Sequence, residues 1–285
     1  MYFHRLHFQS RRGAAFTLPL LMNPVLIGDY DLETRFAELA GTDFSYREIL
    51  EREQWLSNVY AHALKDGCAA LRMVTGGCSP GRLEKENLRD RIEPAINVCV
   101  SSAKTALKLS GADALLCGTL RGVLDSAAKD DNDVIKEISE QIVYIADFGV
   151  DSMVIEEIED YGLFEMTVGM TRKLSGVPLA PFFRTKTLNK ALLGDYEKFC
   201  SELELELMGF QIEIDDIGCL EHYEHRSGSP LGLMFCADRP LNADDAAAIL
   251  SVIRKNSPTV IFAGKGIPRN IWLEIAAKVR ADGER

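Results

Sequence analysis

The feature that most constrains this chain is a repeated alternation. Short apolar runs bounded by Gly, Pro or Asp are separated by longer amphipathic stretches, the pattern of parallel strands joined by crossover helices. Eight such runs can be read: residues 24–28, 68–74, 112–117, 151–155, 178–183, 210–214, 231–236 and 259–263. They read as continuous apolar runs rather than as alternating ones, which fits strands covered on both faces. Eight of them within residues 24–285 predict a single (β/α)8 TIM barrel preceded by an N-terminal extension, residues 1–23. An open doubly wound sheet is the structural alternative.

Local punctuation supports this order. Asp66-Gly67, Ser110-Gly111, Phe148-Gly149, Ser175-Gly176 and Met208-Gly209 each precede an apolar run, as left-handed caps ending helices would. Pro94 predicts a break near residue 93 within the helical stretch 83–109, and the stretch 33–64 divides near Gly41 to Ser45.

Composition excludes several classes. A formal charge of −11 with no run of Lys and Arg argues against nucleic acid as a partner. No segment approaches the length of a membrane span, although a short apolar stretch, residues 14–22, leaves a weak signal-peptide reading. The seven cysteines are odd in number and several sit in apolar runs, so they read as reduced thiols of a cytoplasmic protein.

In barrels of this kind, chemistry gathers at the carboxyl ends of the strands. The residues following the eight runs are Asp29 and Asp31; Thr75 with Gly76 and Gly77; Gly118 and Thr119; Glu156 and Glu157; Arg184; Asp215 and Asp216; Asp238; and Gly264 with Lys265. This carboxylate-rich ring with two cations suits a small polar or cationic substrate, or acid and base groups that shift each other's pKa.

The order of elements and several stretches resemble the homocysteine S-methyltransferase family. Leu26-Ile27-Gly28-Asp29 is similar to the family's glycine-rich first-strand segment, and Asp66-Gly67-Cys68-Ala69-Ala70 through Thr75 to its second-strand segment. Gly149-Val150-Asp151 with Ile155-Glu156-Glu157-Ile158 and Glu165 is similar to its fourth. The resemblance implies a barrel that passes a methyl group between small molecules or from a corrinoid or folate carrier, with a corrinoid protein as one partner. It also implies three cysteines holding zinc at the ends of strands six and eight. Here those stretches read Glu213-Ile214-Asp215-Asp216 and Ala263-Gly264-Lys265-Gly266, so zinc at the family's position is not expected.

These readings nominate Asp216, Lys265 and Glu156 as catalytic, with Asp216 and Lys265 forming an ion pair in the space the metal would fill. Asp29, Asp31, Thr75, Glu157, Arg184, Asp215 and Asp238 are the expected substrate contacts. A relocated metal site from Cys219, His222, His225 and Cys236 is an alternative. So are a barrel with other chemistry, in which burial activates Lys265 as a nucleophilic amine, and a non-catalytic relative binding a metabolite or partner.

Overall fold

The computed structural model describes residues 25–121, 131–184, 190–223 and 230–283. The extension 1–23 therefore lies outside the described residues, as does the loop after Arg184.

All eight apolar runs form strands: β1 Leu26–Ile27, β2 Ala70–Met73, β3 Leu115–Arg121, β4 Ser152–Ile158, β5 Leu179–Arg184, β6 Met208–Glu213, β7 Leu231–Cys236 and β8 Val260–Ala263. They pair in parallel in the order β1-β8-β7-β6-β5-β4-β3-β2. The ring is completed where Gly28 bridges Ala70, with Ala69 N donating to Ile27 O at 2.8 Å and Asp29 N to Ala70 O at 3.1 Å. The sheet thus closes on itself at the β1–β2 seam, and the architecture is a (β/α)8 barrel.

Ten α-helices surround it among the described residues: α1 Leu32–Ala40, α2 Tyr46–Glu51, α3 Glu53–Lys65, α4 Pro80–Lys85, α5 Ile92–Ser110, α6 Asp131–Asp147, α7 Tyr161–Ser175, α8 Lys190–Glu202, α9 Ala243–Asn256 and α10 Arg269–Gly283. Pro94 occupies the first turn of α5, where its missing N–H costs nothing, and the break falls just before it, over residues 86–91. Gly41 closes α1 in a left-handed conformation, as expected, but the stretch to Leu64 holds a further division at Arg52.

Four of the five expected glycine caps have positive φ: Gly67, Gly111, Gly149 and Gly176. Met208-Gly209 does not mark a cap. Gly209 lies inside β6, where a Cβ would come within 2.7 Å of Phe182 and of the Pro181 carbonyl, and Glu204 takes the left-handed position instead.

Side chains divide into two layers. Leu26, Val154, Phe182, Met234 and Phe262 pack inside the barrel, whereas Phe36, Ile96, Phe164 and Trp272 fill the space between strands and helices. Phe182 and Phe262 meet edge to face at 5.6 Å and form an apolar plug. What lies above that plug defines the site.

Candidate active site

Arg72 stands in the middle of β2, buried among apolar strands. Its guanidinium lies 4.8 Å above the Phe262 ring, so the inner plug carries a cation on its upper face. Nε donates to Asp29 Oδ1 at 2.7 Å, Nη1 to Glu156 Oε2 at 2.7 Å and to Met234 Sδ at 3.3 Å, and Nη2 to the Ala263 carbonyl at 2.5 Å. The backbone N–H of Arg72 also donates to Asp29 Oδ2 at 2.6 Å. One arginine thereby ties the ends of β1, β2, β4, β7 and β8 together.

A second arginine extends the network outward. Arg121, the last residue of β3, donates through Nε to Glu156 Oε1 at 3.0 Å and through Nη1 to Glu33 at the start of α1, with Glu157 3.5 Å away. Gly76 makes room for it: a Cβ there would lie 2.8 Å from the Arg121 stem.

Strand alternation should send Glu156 and Glu157 to opposite faces. A bulge in β4 between Ile155 and Ile158, with Glu157 at φ +60°, puts both carboxylates at the same mouth. A non-glycine residue held there stores strain, and such strain gathers at functional sites. Gln211 of β6 holds the bulge by accepting from Glu157 N at 2.7 Å, while its Nε2 donates to Cys236 Sγ at 3.2 Å.

The network has two tiers. Asp29 and Glu156 are sealed, with side chains 0% and 2% exposed, whereas Glu33, Glu157 and Arg121 keep 24%, 27% and 16%. Burial raises the Asp29 carboxyl to about 7 although Arg72 opposes the shift. Burial acts on Glu156 too, but there the two guanidinium groups prevail and hold the carboxyl below its usual range. Burial pushes Glu33 up against the pull of Arg121. Two carboxyls separated in this way are the usual arrangement for acid and base roles at one mouth.

Above the network lies a cavity of about 300 Å³. It is lined by the two arginines and their carboxylates, by the apolar Leu32, Ala37 and Phe44, and by Lys265.

Asp29, Asp31, Glu156, Glu157 and Lys265 all line this cavity. Asp31 is also the N-cap of α1, accepting from Thr34 N at 3.1 Å. Thr75 is not among the lining residues; its hydroxyl ties β2 to β3 by donating to the Thr119 carbonyl at 2.9 Å and accepting from Thr119 N at 2.8 Å.

The Asp216–Lys265 ion pair is not formed. The chain leaves β6 in a 3-10 helix, Ile214–His222, that carries Asp215 and Asp216 to a separate cavity with Asp238 and Glu213. Asp215 pairs there with Arg239 at 2.8 Å, and Arg184 pairs with Glu213 at 2.8 Å. Lys265 is exposed, so the burial that a nucleophilic amine role requires is missing.

Cys219 and Cys236, the two members of the relocated metal site whose side chains are described, are not brought together. Cys236 packs inside the barrel, and Cys219 packs against the layer between strands and helices. His225 lies outside the described residues, as does the side chain of His222. No group of three His, Cys, Asp or Glu side chains suited to a metal is found among the described residues. The donor set at the strand-eight position does not fit a thiolate-held zinc, because Gly264 has no side-chain donor and Lys265 is a cation. None of the seven cysteines forms a disulfide, and six of them are buried.

Sequence reasoning missed Arg72, Arg121, Glu33 and Gln211. Arg72 alone carried a readable signal, a charge inside the apolar run Ala70-Leu71-Arg72-Met73.

No family model and no curated protein matches the chain in sequence. Its likeness to solved structures is one of fold. The homocysteine methyltransferase MmuM of Escherichia coli, in its metallated form, superposes with a TM-score of 0.76 at 13% identity, over 93% of this chain and 100% of that one. 3-Dehydroquinate dehydratase of Geobacillus kaustophilus gives 0.53 at 13% identity, over 90% and 91%. The carboxyl transferase domain of Rhizobium etli pyruvate carboxylase gives 0.52 at 13%, over 90% and 45%. The class these data define is the (β/α)8 barrel with a charged cavity at the carboxyl ends of its strands.

Proposed function

We propose that this barrel is an enzyme that transfers a methyl group between small molecules without a thiolate-held zinc. The reading draws on its end-to-end structural likeness to a homocysteine methyltransferase, and on the sequence resemblance carried by the first, second and fourth strands. The observation that carries it is the two-tier network at the mouth: Arg72, Asp29 and Glu156 form a sealed base that fixes the partly exposed Arg121, Glu33 and Glu157. Groups held in this way need little reorganisation when charge moves in the transition state.

In such a transfer the acceptor atom forms a bond to the methyl carbon as the bond from carbon to the donor breaks, and that electron pair leaves with the donor. The acceptor's proton goes to a carboxylate of the mouth. Glu33 fits this role because it borders the cavity and burial raises its carboxyl. Arg121 keeps Glu33 and Glu157 in place as the proton moves. The donor is an activated methyl compound, either a small sulfonium-type molecule or a folate or corrinoid carrier, with a corrinoid protein as the partner in the last case.

The test supplies purified protein with labelled methyl donors of these three kinds and a mixture of small amines, alcohols and thiols. Label appearing in an acceptor, and lost in Glu33→Gln and Arg121→Ala, supports the reading. No transfer from any donor overturns it, and saturable ligand binding without turnover would then mark a binding protein.

A further inference from the structure

We propose that Cys78 and Cys99 form a reversible oxidation site, in which a peroxide joins the two thiols as a disulfide and thereby shifts the turn that supports Arg121. The site stands apart from methyl transfer, because it lies in the wall behind the mouth and touches no ligand within it.

Contact between the two sulfurs carries the proposal. Cys78 ends the turn that follows β2, Cys99 lies in the middle of α5, and their side chains are in hydrogen-bonding contact although both are fully buried. Cys99 Sγ also donates to the Val74 carbonyl at 3.7 Å, the same oxygen that accepts from the Tyr46 hydroxyl at 2.7 Å. Two thiols from different elements held against each other are the starting point that a disulfide needs. The other four buried thiols face elsewhere. Cys68 donates to the Ala70 carbonyl at 3.0 Å and Cys117 to that of Leu115 at 4.0 Å, while Cys200 meets the Tyr196 hydroxyl and Cys236 accepts from Gln211.

A peroxide balances the reaction. One sulfur takes a hydroxyl as the peroxide O–O bond breaks, giving a sulfenic acid and a water. The second sulfur then attacks the first, the S–O bond breaks, and the hydroxyl leaves as water with the second thiol's proton. The thiols lose two electrons and two protons, and the peroxide takes both. Burial pushes the Cys78 thiol well above its usual range, so the first step is slow. The adjacent thiol captures the sulfenic acid before it oxidises further, which keeps the site reversible.

Closing the bond brings the sulfurs to about 2 Å. Cys99 is fixed in a helix of 19 residues packed on α3, so the turn is the part that moves. That turn is closely fitted. A Cβ on Gly76 would lie 2.8 Å from the Arg121 stem and one on Gly77 2.5 Å from the Tyr46 hydroxyl, to which Gly77 N donates at 2.9 Å. A shift toward α5 breaks the Gly77 bond and withdraws Gly76 from Arg121, so the oxidation state of the pair reaches the mouth.

The experiment treats the folded full chain with dilute hydrogen peroxide, blocks the remaining thiols with iodoacetamide, and maps disulfides by mass spectrometry with and without dithiothreitol. A link between Cys78 and Cys99 that dithiothreitol reverses is expected, with faster amide hydrogen exchange over residues 75–78 in the linked form. Cys99→Ala should form no link and leave Cys78 as a sulfenic acid that dimedone traps. No link, a link between other cysteines, a link that forms only in urea, or a link that leaves exchange over residues 75–78 unchanged overturns the proposal.

Discussion

Arg72 and Asp29 are joined twice, by the arginine's backbone N–H to Oδ2 at 2.6 Å and by its Nε to Oδ1 at 2.7 Å, so one residue fixes both main chain and side chain across the closure of the barrel. The contact is buried and shared with Glu156, which makes Arg72 the counter-ion of two sealed carboxylates. Removing it leaves Asp29 without its counter-ion and Glu156 with Arg121 alone. Arg72→Met should cost about 3–5 kcal/mol of stability, measured by urea unfolding, because the cost of leaving buried charge unpaired exceeds the net worth of the pair. Adding Asp29→Asn and Glu156→Gln should recover part of the loss, and a triple variant no more stable than the single one would refute the account.

Stability against pH follows from the same pair. Asp29 has a folded-state value of about 7 against an ordinary 3.8, so the fold favours its protonated form. Its contribution is therefore fully present below the ordinary value and is lost as pH rises through about 7, on the order of 2–4 kcal/mol. Glu156 is shifted the other way, so its contribution is present at neutral pH and lost in acid. The wild type minus Asp29→Asn difference isolates the first slope: the wild type should lose stability relative to the variant between about pH 4 and 7. A flat difference would show that Asp29 is ionised throughout.

The strands were legible because each is a continuous apolar run, and the ends of β1 and β4 led to Asp29, Asp31, Glu156 and Glu157 at the cavity. The partners of those acids were not legible. Arg72 sits inside an apolar run, and Arg121 lies four residues beyond the apolar end of its own, because β3 continues to the mouth. Glu33 reads as an ordinary first-turn acid of a helix. Asp216 and Lys265 stand where the resembled family carries its zinc cysteines, which suggested an ion pair in the metal's place, whereas the chain turns aside into a 3-10 helix after Glu213. Run lengths identify strands, but which charges meet above them depends on how far each strand extends and where it bulges.

Glu157 offers a test of strain against function. Its φ of +60° is a conformation that glycine adopts without penalty. Glu157→Gly should therefore stabilise the fold by about 0.5–1 kcal/mol while removing a carboxylate from the mouth. A higher denaturation midpoint with weakened ligand binding is the expected pair of results; a lower midpoint would show that the side chain itself holds the bulge.

Gly76 separates the position of Arg121 from its charge. A Cβ at residue 76 would meet the middle of the Arg121 side chain, whose far end is fixed by Glu33 and Glu156, so Gly76→Ala must displace the guanidinium. Over-packing of this kind costs about 1–3 kcal/mol in stability. The informative readout is whatever binding or transfer the wild type shows, which should fall in Gly76→Ala as far as in Arg121→Ala although every charged residue is still present. Retained function in Gly76→Ala with loss in Arg121→Ala would mean that the positive charge suffices and that the geometry holding it between Glu33 and Glu156 does not matter.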